Sequence, residues 1–383
     1  MRAGIFLVIS LLFTSVLPMA STVDPQEIRQ VLKDAVDNRH TVGIVVGIIN
    51  KDGKTIYSYG KTATDGRAVD GDTVFEIGSV TKTFTATLLA DMVQRGLLSL
   101  DDPVAKYLPK GVTMPSRGGK QITLLDLATQ RSGLPRMPTN FNPADPDNPF
   151  ADYTAKKLFE FLAGYTLPRD IGASYEYSNL GVGLLGEALA RRAGKSYEAL
   201  LTERIFRPLG MNSSGIVLRP GMAARLAAGH SPQLTPVKNW DMDVLAGAGA
   251  IRSTVNDMLS YVAANMDLKP SPLSGAMALA RQDLKDTTIP DMRIGLAWHL
   301  RKSQDTVIVW HNGSTAGYHS FVGFDVKKGM GIVVLSNSAN DIDTIGLHFL
   351  NDRIPLAKIE PRKERKEIAL EPALLDAYVG EYQ

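Results

Sequence analysis

Strand patterns stand at the two ends of this chain, with helical patterns between them. Near the start, "VGIVVGIINKDGKTIYSYGK", Val42 to Lys61, reads as two strands joined at the hairpin-turn pair Asp52-Gly53. The near-continuous apolar run of the first predicts a strand buried on both faces. Strand patterns return only at Ile294 to Leu300, Thr306 to Trp310, His319 to Phe324 and Gly331 to Ser336. From Ser79 to about Asn265 the readable segments are helical: Ser79 to Arg95, Thr123 to Thr129, Ala155 to Ala163, Leu180 to Ala193 and Tyr197 to Ile205, then a helix whose start at Thr254 and Asp257 is like a capping box. One more helix, Asp24 to Arg39 with Pro25 in its first turn, precedes the hairpin, and a last one runs from Ile342 to Asn351. The order predicts an α/β (α+β) fold with one sheet assembled from both chain ends and a helical subdomain inserted between them. A cleft is expected where the two parts meet, and the proline-rich segment Met137 to Asp152 is a loop placed to cover its mouth or to lie elsewhere on the surface.

Charge and leader patterns narrow the function classes. Lys and Arg total 42 against 40 Asp and Glu, scattered except near "PRKERKE", which is no nucleic-acid footprint. Residues 1–21 read as a secretory signal peptide, with Arg2, an apolar run from Ile5 to Leu17 and small residues at Ala20 and Ser21. That run is short for a bilayer span, so cleavage is expected and no stable membrane anchor. With no cysteine, neither a lipidated N-terminal cysteine nor a disulfide is available, and the expected location is a bacterial periplasm or the outside. The expected division is a main unit over 24–355, built from an α/β part (24–78 and 250–355) and a helical part (79–249), followed by a charged linker and tail over 356–383.

Two Ser-x-x-Lys patterns occur. Ser58 and Lys61 fall on a strand, where positions three apart point to opposite faces and cannot cooperate. Ser79 and Lys82 begin a helix, where residues three apart share a face, so a nucleophile and its base fit there. Unpaired N–H groups and the positive end of the helix dipole favour a developing oxyanion beside Ser79. The alternative is a serine N-cap followed by a solvated lysine.

Two further stretches carry chemistry. Tyr177-Ser178-Asn179 lies in the turn before a helix: the tyrosine suits proton transfer with a leaving group, and the asparagine suits binding of a substrate carbonyl. An asparagine cap with a packing tyrosine is the bland alternative. In "VIVWHNGSTAGYHSFVGF" a strand ends at Trp310 and His311-Asn312-Gly313-Ser314 follows on a sheet edge, with Gly313 allowing close approach of substrate backbone. The remaining histidines are dispersed, so no metal site is expected.

Taken in order, these segments resemble the serine β-lactamase and penicillin-binding-protein superfamily, in the branch of class C β-lactamases, class-C-type D-Ala-D-Ala peptidases and related esterases. The resemblance runs from about Val42 to Leu350 and includes "LLDLATQRSGLP", "RIFRPLGM" and "GAIRSTVNDM". It implies a β-lactamase/transpeptidase-like fold with an antiparallel sheet, a catalytic domain over 24–355 and, over 356–383, a charged linker with the start of a shortened β-barrel domain; it also implies Ser79 as acylated nucleophile, Lys82 as its base partner and Tyr177 as proton donor. It further implies Asn179 on the substrate amide, Ser79 and Ser314 N–H groups as oxyanion hole, His311, Asn312 and Gly313 in substrate binding, a small-molecule substrate, a peptidoglycan or antibiotic-resistance role and no cofactor. One departure stands out, since the family triplet is usually Lys-Thr-Gly and here is His311-Asn312-Gly313. A permanent cation for a substrate carboxylate is thereby replaced by a residue charged only below roughly pH 6.5. The leading expectation is an exported serine hydrolase opening β-lactams or cleaving D-Ala-D-Ala peptides. A carboxylesterase on the same scaffold, or a penicillin-binding sensor that acylates without turnover, are the alternatives.

Overall fold

The computed structural model describes residues 23–303, 306–361 and 380. The expected signal peptide and almost all of the tail beyond Arg362 lie outside them.

The two chain ends do build one sheet. Eight strands, β1 (Gly43–Asn50), β2 (Gly53–Gly60), β3 (Lys285–Asp286), β4 (Met292–Ile294), β5 (His299–Ser303), β6 (Thr306–Ser314), β7 (His319–Asp325) and β8 (Met330–Ser336), lie in the order β2-β1-β8-β7-β6-β5-β4-β3. Every neighbouring pair is antiparallel, and the ends of the chain join where Ile44 faces Ser336 and Ile49 faces Gly331.

Alternation along β1 shows why the run is apolar throughout. Ile44 and Val46 enter a core with Ile28 and Leu32 of helix α1 (Pro25–Asp37) and Ile345 and Leu350 of a C-terminal helix, Asp343–Leu350. Val45 points the other way, into the larger core that also holds Phe84 of α2 (Thr81–Gln94), Leu184 of α3 (Asn179–Ala193) and Leu259 of α4 (Val255–Asn265). Helices therefore cover both faces of the sheet, and a strand buried on both faces cannot alternate polar with apolar residues. The C-terminal helix is α5.

Three expectations need correction. Ile294 to Leu300 is not one strand, because the chain turns inside it: Gly295 N donates to Trp298 O at 2.8 Å, Ala297 has φ +59°, and Trp298 is fully buried. A turn this deeply buried carries apolar residues and looks like a strand. The first hairpin turns at Lys51-Asp52, with Gly53 already paired to Asn50. The strand does not end at Trp310: the His311-Asn312-Gly313 triplet continues β6, paired with Val322, Phe321 and Ser320 of β7 on one side, while on the other it runs past the last β5 pair, His299 with Trp310, so the expected sheet edge is there but lies within the strand.

Candidate active site

Ser79 sits in a single 3-10 turn, Gly78–Val80, that leads directly into α2. Ser320 Oγ on β7 donates to Ile77 O at 2.8 Å, and Ile77 N donates to Ile251 O at 3.0 Å, so the turn is tied both to the sheet and to the segment leading into α4. Gly78 has φ +47°, a conformation that favours glycine. A Cβ on Gly78 would lie 2.8 Å from Ser314 N, and one on Gly313 would lie 2.8 Å from Ser79 N. The paired glycines thus let the turn and β6 touch backbone to backbone, bringing the N–H groups of Ser79 and Ser314 to the same place.

One turn of helix beyond Ser79, Lys82 points back at it. Lys82 Nζ is 2.9 Å from Ser79 Oγ and 2.7 Å from the Ala248 carbonyl, and the residue has no exposed surface. Burial, with a smaller contribution from the Arg136 guanidinium, holds the amine well below its ordinary value. An amine held neutral here donates to the Ala248 carbonyl and has a lone pair beside the Ser79 hydroxyl. The sequence alternative of a solvated lysine is excluded by this placement.

Tyr177 lies against the same amine, with Lys82 Nζ 4.8 Å from its ring centre. Burial pushes the phenol well above its ordinary value, against a smaller opposite pull from Ser79, so it keeps its proton at neutral pH. The next residue, Ser178, caps α3: its Oγ accepts from Gly181 N at 2.8 Å and donates to Pro135 O at 2.6 Å. Asn179 is therefore the first residue of the helix and not its cap, and among the described residues its amide has the Met137 sulfur, at 3.7 Å, as its one side-chain partner. Asn179 lines a cavity of about 30 Å³ with Ser79, Ser314, Phe150, Trp240 and Met242. Phe150 belongs to the proline-rich loop, so that loop does reach the cleft.

His311 faces the same site from β6. Its ring stacks on His299 of β5 at 4.9 Å between centres and lies 6.3 Å from Tyr177, while Nδ1 meets the Asn312 carbonyl at 2.5 Å. His299 Nε2 in turn meets Tyr175 Oη at 3.2 Å. Burial, then the neighbouring His299 and Lys82, push His311 well below its ordinary value, and burial with Lys82 brings His299 to about 4. Both rings are neutral at pH 7. Asn312 turns to the other side of the strand, where Nδ2 donates to Asp343 Oδ2 at 2.5 Å and His319 Nε2 lies 2.9 Å from Asp343 Oδ1.

All eight residues singled out in the sequence thus gather around Ser79 or on the strand beside it. Sequence reasoning missed His299, Tyr175 and Arg136. Finding His299 requires the β5–β6 register, which sets it opposite Trp310 and beside His311, and no local pattern supplies that register.

Comparison with known proteins agrees with this fold. The family model described as "Beta-lactamase" matches residues 28–350, and the chain belongs to that family. Among curated relatives, the D-alanyl-D-alanine-carboxypeptidase/endopeptidase AmpH of Escherichia coli (strain K12) is 27% identical over 353 residues, covering 85% of this chain and 90% of that protein. A β-lactamase of the same strain is 28% identical over 357 residues, covering 82% and 89%. Two solved structures superpose with a TM-score of 0.74 at 25% identity: a class C β-lactamase from Rhodobacter sphaeroides, covering 85% of this chain and 98% of that one, and a β-lactamase/D-alanine carboxypeptidase from Yersinia pestis, covering 85% and 96%. The chain is an enzyme, a serine hydrolase of the type to which these proteins belong.

Proposed function

We propose that this serine hydrolase acylates Ser79 with a D-Ala-D-Ala peptide or a β-lactam and then hydrolyses the acyl-enzyme. The observation that carries the reading is the enclosed Lys82 amine 2.9 Å from Ser79 Oγ, because a serine hydroxyl becomes a nucleophile only beside a base that is unprotonated at working pH. Neutral Lys82 takes the Ser79 proton as Oγ attacks the carbonyl. The oxyanion accepts from the Ser79 and Ser314 N–H groups. Tyr177 gives its proton to the leaving nitrogen and regains one from protonated Lys82, and the same groups then activate water against the acyl-enzyme. Asn179 binds the substrate's amide, and His311, Asn312 and Gly313 line the strand along which it lies.

A carboxylesterase is the second reading, favoured by one observation: His311 is neutral where relatives of the family usually carry a lysine for a substrate carboxylate. Export by a cleaved leader and the division of the catalytic domain at 78/79 and 249/250 also belong to this reading. Among the described residues no helix is long and apolar enough to cross a membrane.

Intact-protein mass over time with a penicillin and a cephalosporin, alongside drug consumption, tests the proposal in wild type and Ser79→Ala. An adduct that is absent in Ser79→Ala supports it. Failure of wild type to form any adduct or cleave a D-Ala-D-Ala peptide, with short-chain esters still hydrolysed, would establish the esterase instead.

A further inference from the structure

We propose that Arg136 supplies the carboxylate-binding cation that His311 cannot, which makes it the specificity-determining residue for substrates with a free carboxylate. The inference rests on the peptide or β-lactam reading above, since both substrate classes carry such a group.

Position is the first argument. The Arg136 guanidinium carbon lies 5.1 Å from the centre of the Tyr177 ring, the ring that also faces Lys82 and His311. Its main chain is held at the cleft, because Asn179 N and Leu180 N both donate to the Arg136 carbonyl, at 3.0 and 3.2 Å. Arg136 is thereby anchored between Tyr177 and Asn179, two residues of the site, by the N-terminus of α3.

Availability is the second. Arg136 is exposed, and among the described residues its guanidinium has no ion-pair partner. Arg131, five residues earlier, is committed to Asp286 and the Gly172 carbonyl. Arg169 is committed to Glu176. A planar guanidinium held on an aromatic ring keeps its N–H edge free for the two oxygens of a carboxylate.

The charge around the triplet gives the third argument. On the Asn312 side of β6 stand the carboxylates of Asp343 and Asp341, the latter well exposed and with Oδ1 3.7 Å from His319 Nε2. An anionic group entering the cleft is repelled from that flank. On the His311 side the stacked histidines are neutral, Lys82 is enclosed, and Arg136 is a cation that reaches the surface. Substrate charge is thus directed toward Tyr177 and Arg136 and away from α5.

The test compares an N-acylated D-Ala-D-Ala peptide bearing a free C-terminus with the same peptide as its C-terminal amide, in wild type, Arg136→Gln and Arg136→Lys. Wild type is expected to favour the acid in kcat/KM, and Arg136→Gln to shrink the acid-to-amide ratio by about tenfold, chiefly through KM of the acid, the size of one charge-assisted contact. Arg136→Lys, which keeps the charge without the planar fork, is expected to fall between the two. An unchanged ratio in Arg136→Gln overturns the inference, as does an equal fall on acid and amide, which would make Arg136 a support for Tyr177 only. A wild type that forms the Ser79 adduct with penicillin yet treats acid and amide alike overturns this inference and leaves the proposed function standing. Absence of both peptide cleavage and adduct removes the two together.

Discussion

Lys82 Nζ lies 2.9 Å from Ser79 Oγ and 2.7 Å from the Ala248 carbonyl, in a place with no solvent exposure. The amine is held between the Ser79 hydroxyl and a backbone oxygen that fixes its direction. Replacing it with alanine leaves Ser79 in place but without a base, and acylation by penicillin is expected to slow by about 10²–10⁴-fold, the usual worth of a positioned base. Lys82→Arg, always protonated, is expected to be as slow as Lys82→Ala. Rates of adduct formation followed by intact mass decide this, and an arginine variant near wild-type speed would show that the base lies elsewhere.

The same enclosure predicts a stability cost for carrying the group. Burial depresses the folded-state pKa of Lys82 below its unfolded value of 10.5, so between the two values the unfolded chain binds the extra proton and wild-type stability rises with pH. Lys82→Met, which fills the site without charge, is expected to be more stable than wild type by about 1–2 kcal/mol near neutral pH. The gap is expected to narrow as pH rises, since the wild type alone gains. Urea unfolding at several pH values measures both, and a gap that widens toward alkaline pH would contradict the assignment.

His299 gives a second pH window with the same sign. It falls from an ordinary 6.5 to about 4 in the folded protein, chiefly through burial. Stability linked to it is therefore complete above 6.5 and is lost as pH falls toward 4, amounting to about 3 kcal/mol for the whole shift. His311 acts in the same direction. His299→Phe keeps a ring for stacking and removes the titration, so it is expected to lose less stability than wild type between about pH 7 and about pH 4.5. Parallel losses in the two proteins would place the acid sensitivity elsewhere.

What the sequence revealed and what it hid follow from locality. The two-ended sheet was legible because strands at 43–60 and 306–336 carry their own periodicity and turn residues. Ser79 and Lys82 were legible because they lie one helical turn apart, where spacing alone fixes which side chains meet, and Tyr177 and Asn179 because they stand at the start of a helix that the apolar pattern announces. The buried turn at Gly295–Trp298 was not, since apolar residues there serve the core and mimic a strand. Nor was the run of β6 through His311 and Asn312, because polar residues followed by glycine signal a strand end, and here the strand continues past β5 with β7 as its one partner. Arg136 and His299 meet Tyr177 and His311 only through loop docking and cross-strand register, which depend on the whole fold.

Beneath the site, Arg252 and Glu76 form a pair in which each side chain is 4% exposed, with Nη2 3.3 Å from Oε1. Glu76 Oε1 also accepts from Trp240 N and Asn239 Nδ2, both at 3.0 Å, so the pair holds the segment that carries Trp240 to the cavity. Burial raises the Glu76 pKa, and Arg252 opposes that rise. Arg252→Met strands the carboxylate and is expected to cost about 3–5 kcal/mol. Adding Glu76→Gln to it is expected to recover part of the loss, because a neutral amide needs no counter-charge. Unfolding of the single and double variants tests this; no recovery would mean that the Arg252 contacts with the Ile216 and Trp240 carbonyls dominate.

Gly313 leaves no room for a side chain. A Cβ there would stand 2.1 Å from Ile77 O, 2.7 Å from Ser320 Oγ and 2.8 Å from Ser79 N, and two of those three atoms are backbone. Gly313→Ala must therefore push the Ser79 turn away from β6 and separate the Ser79 and Ser314 N–H groups. Because donors to an oxyanion act only when both meet the same atom, a loss of about 10²–10³-fold in kcat/KM is expected. Overpacking adds an expected destabilisation of about 1–3 kcal/mol. Kinetics on a D-Ala-D-Ala peptide and urea unfolding of the same preparation separate the two effects. Retention of wild-type kcat/KM by a folded Gly313→Ala protein would show that the turn and the strand need not touch, and the Ser314 N–H would then have no part in stabilising the oxyanion.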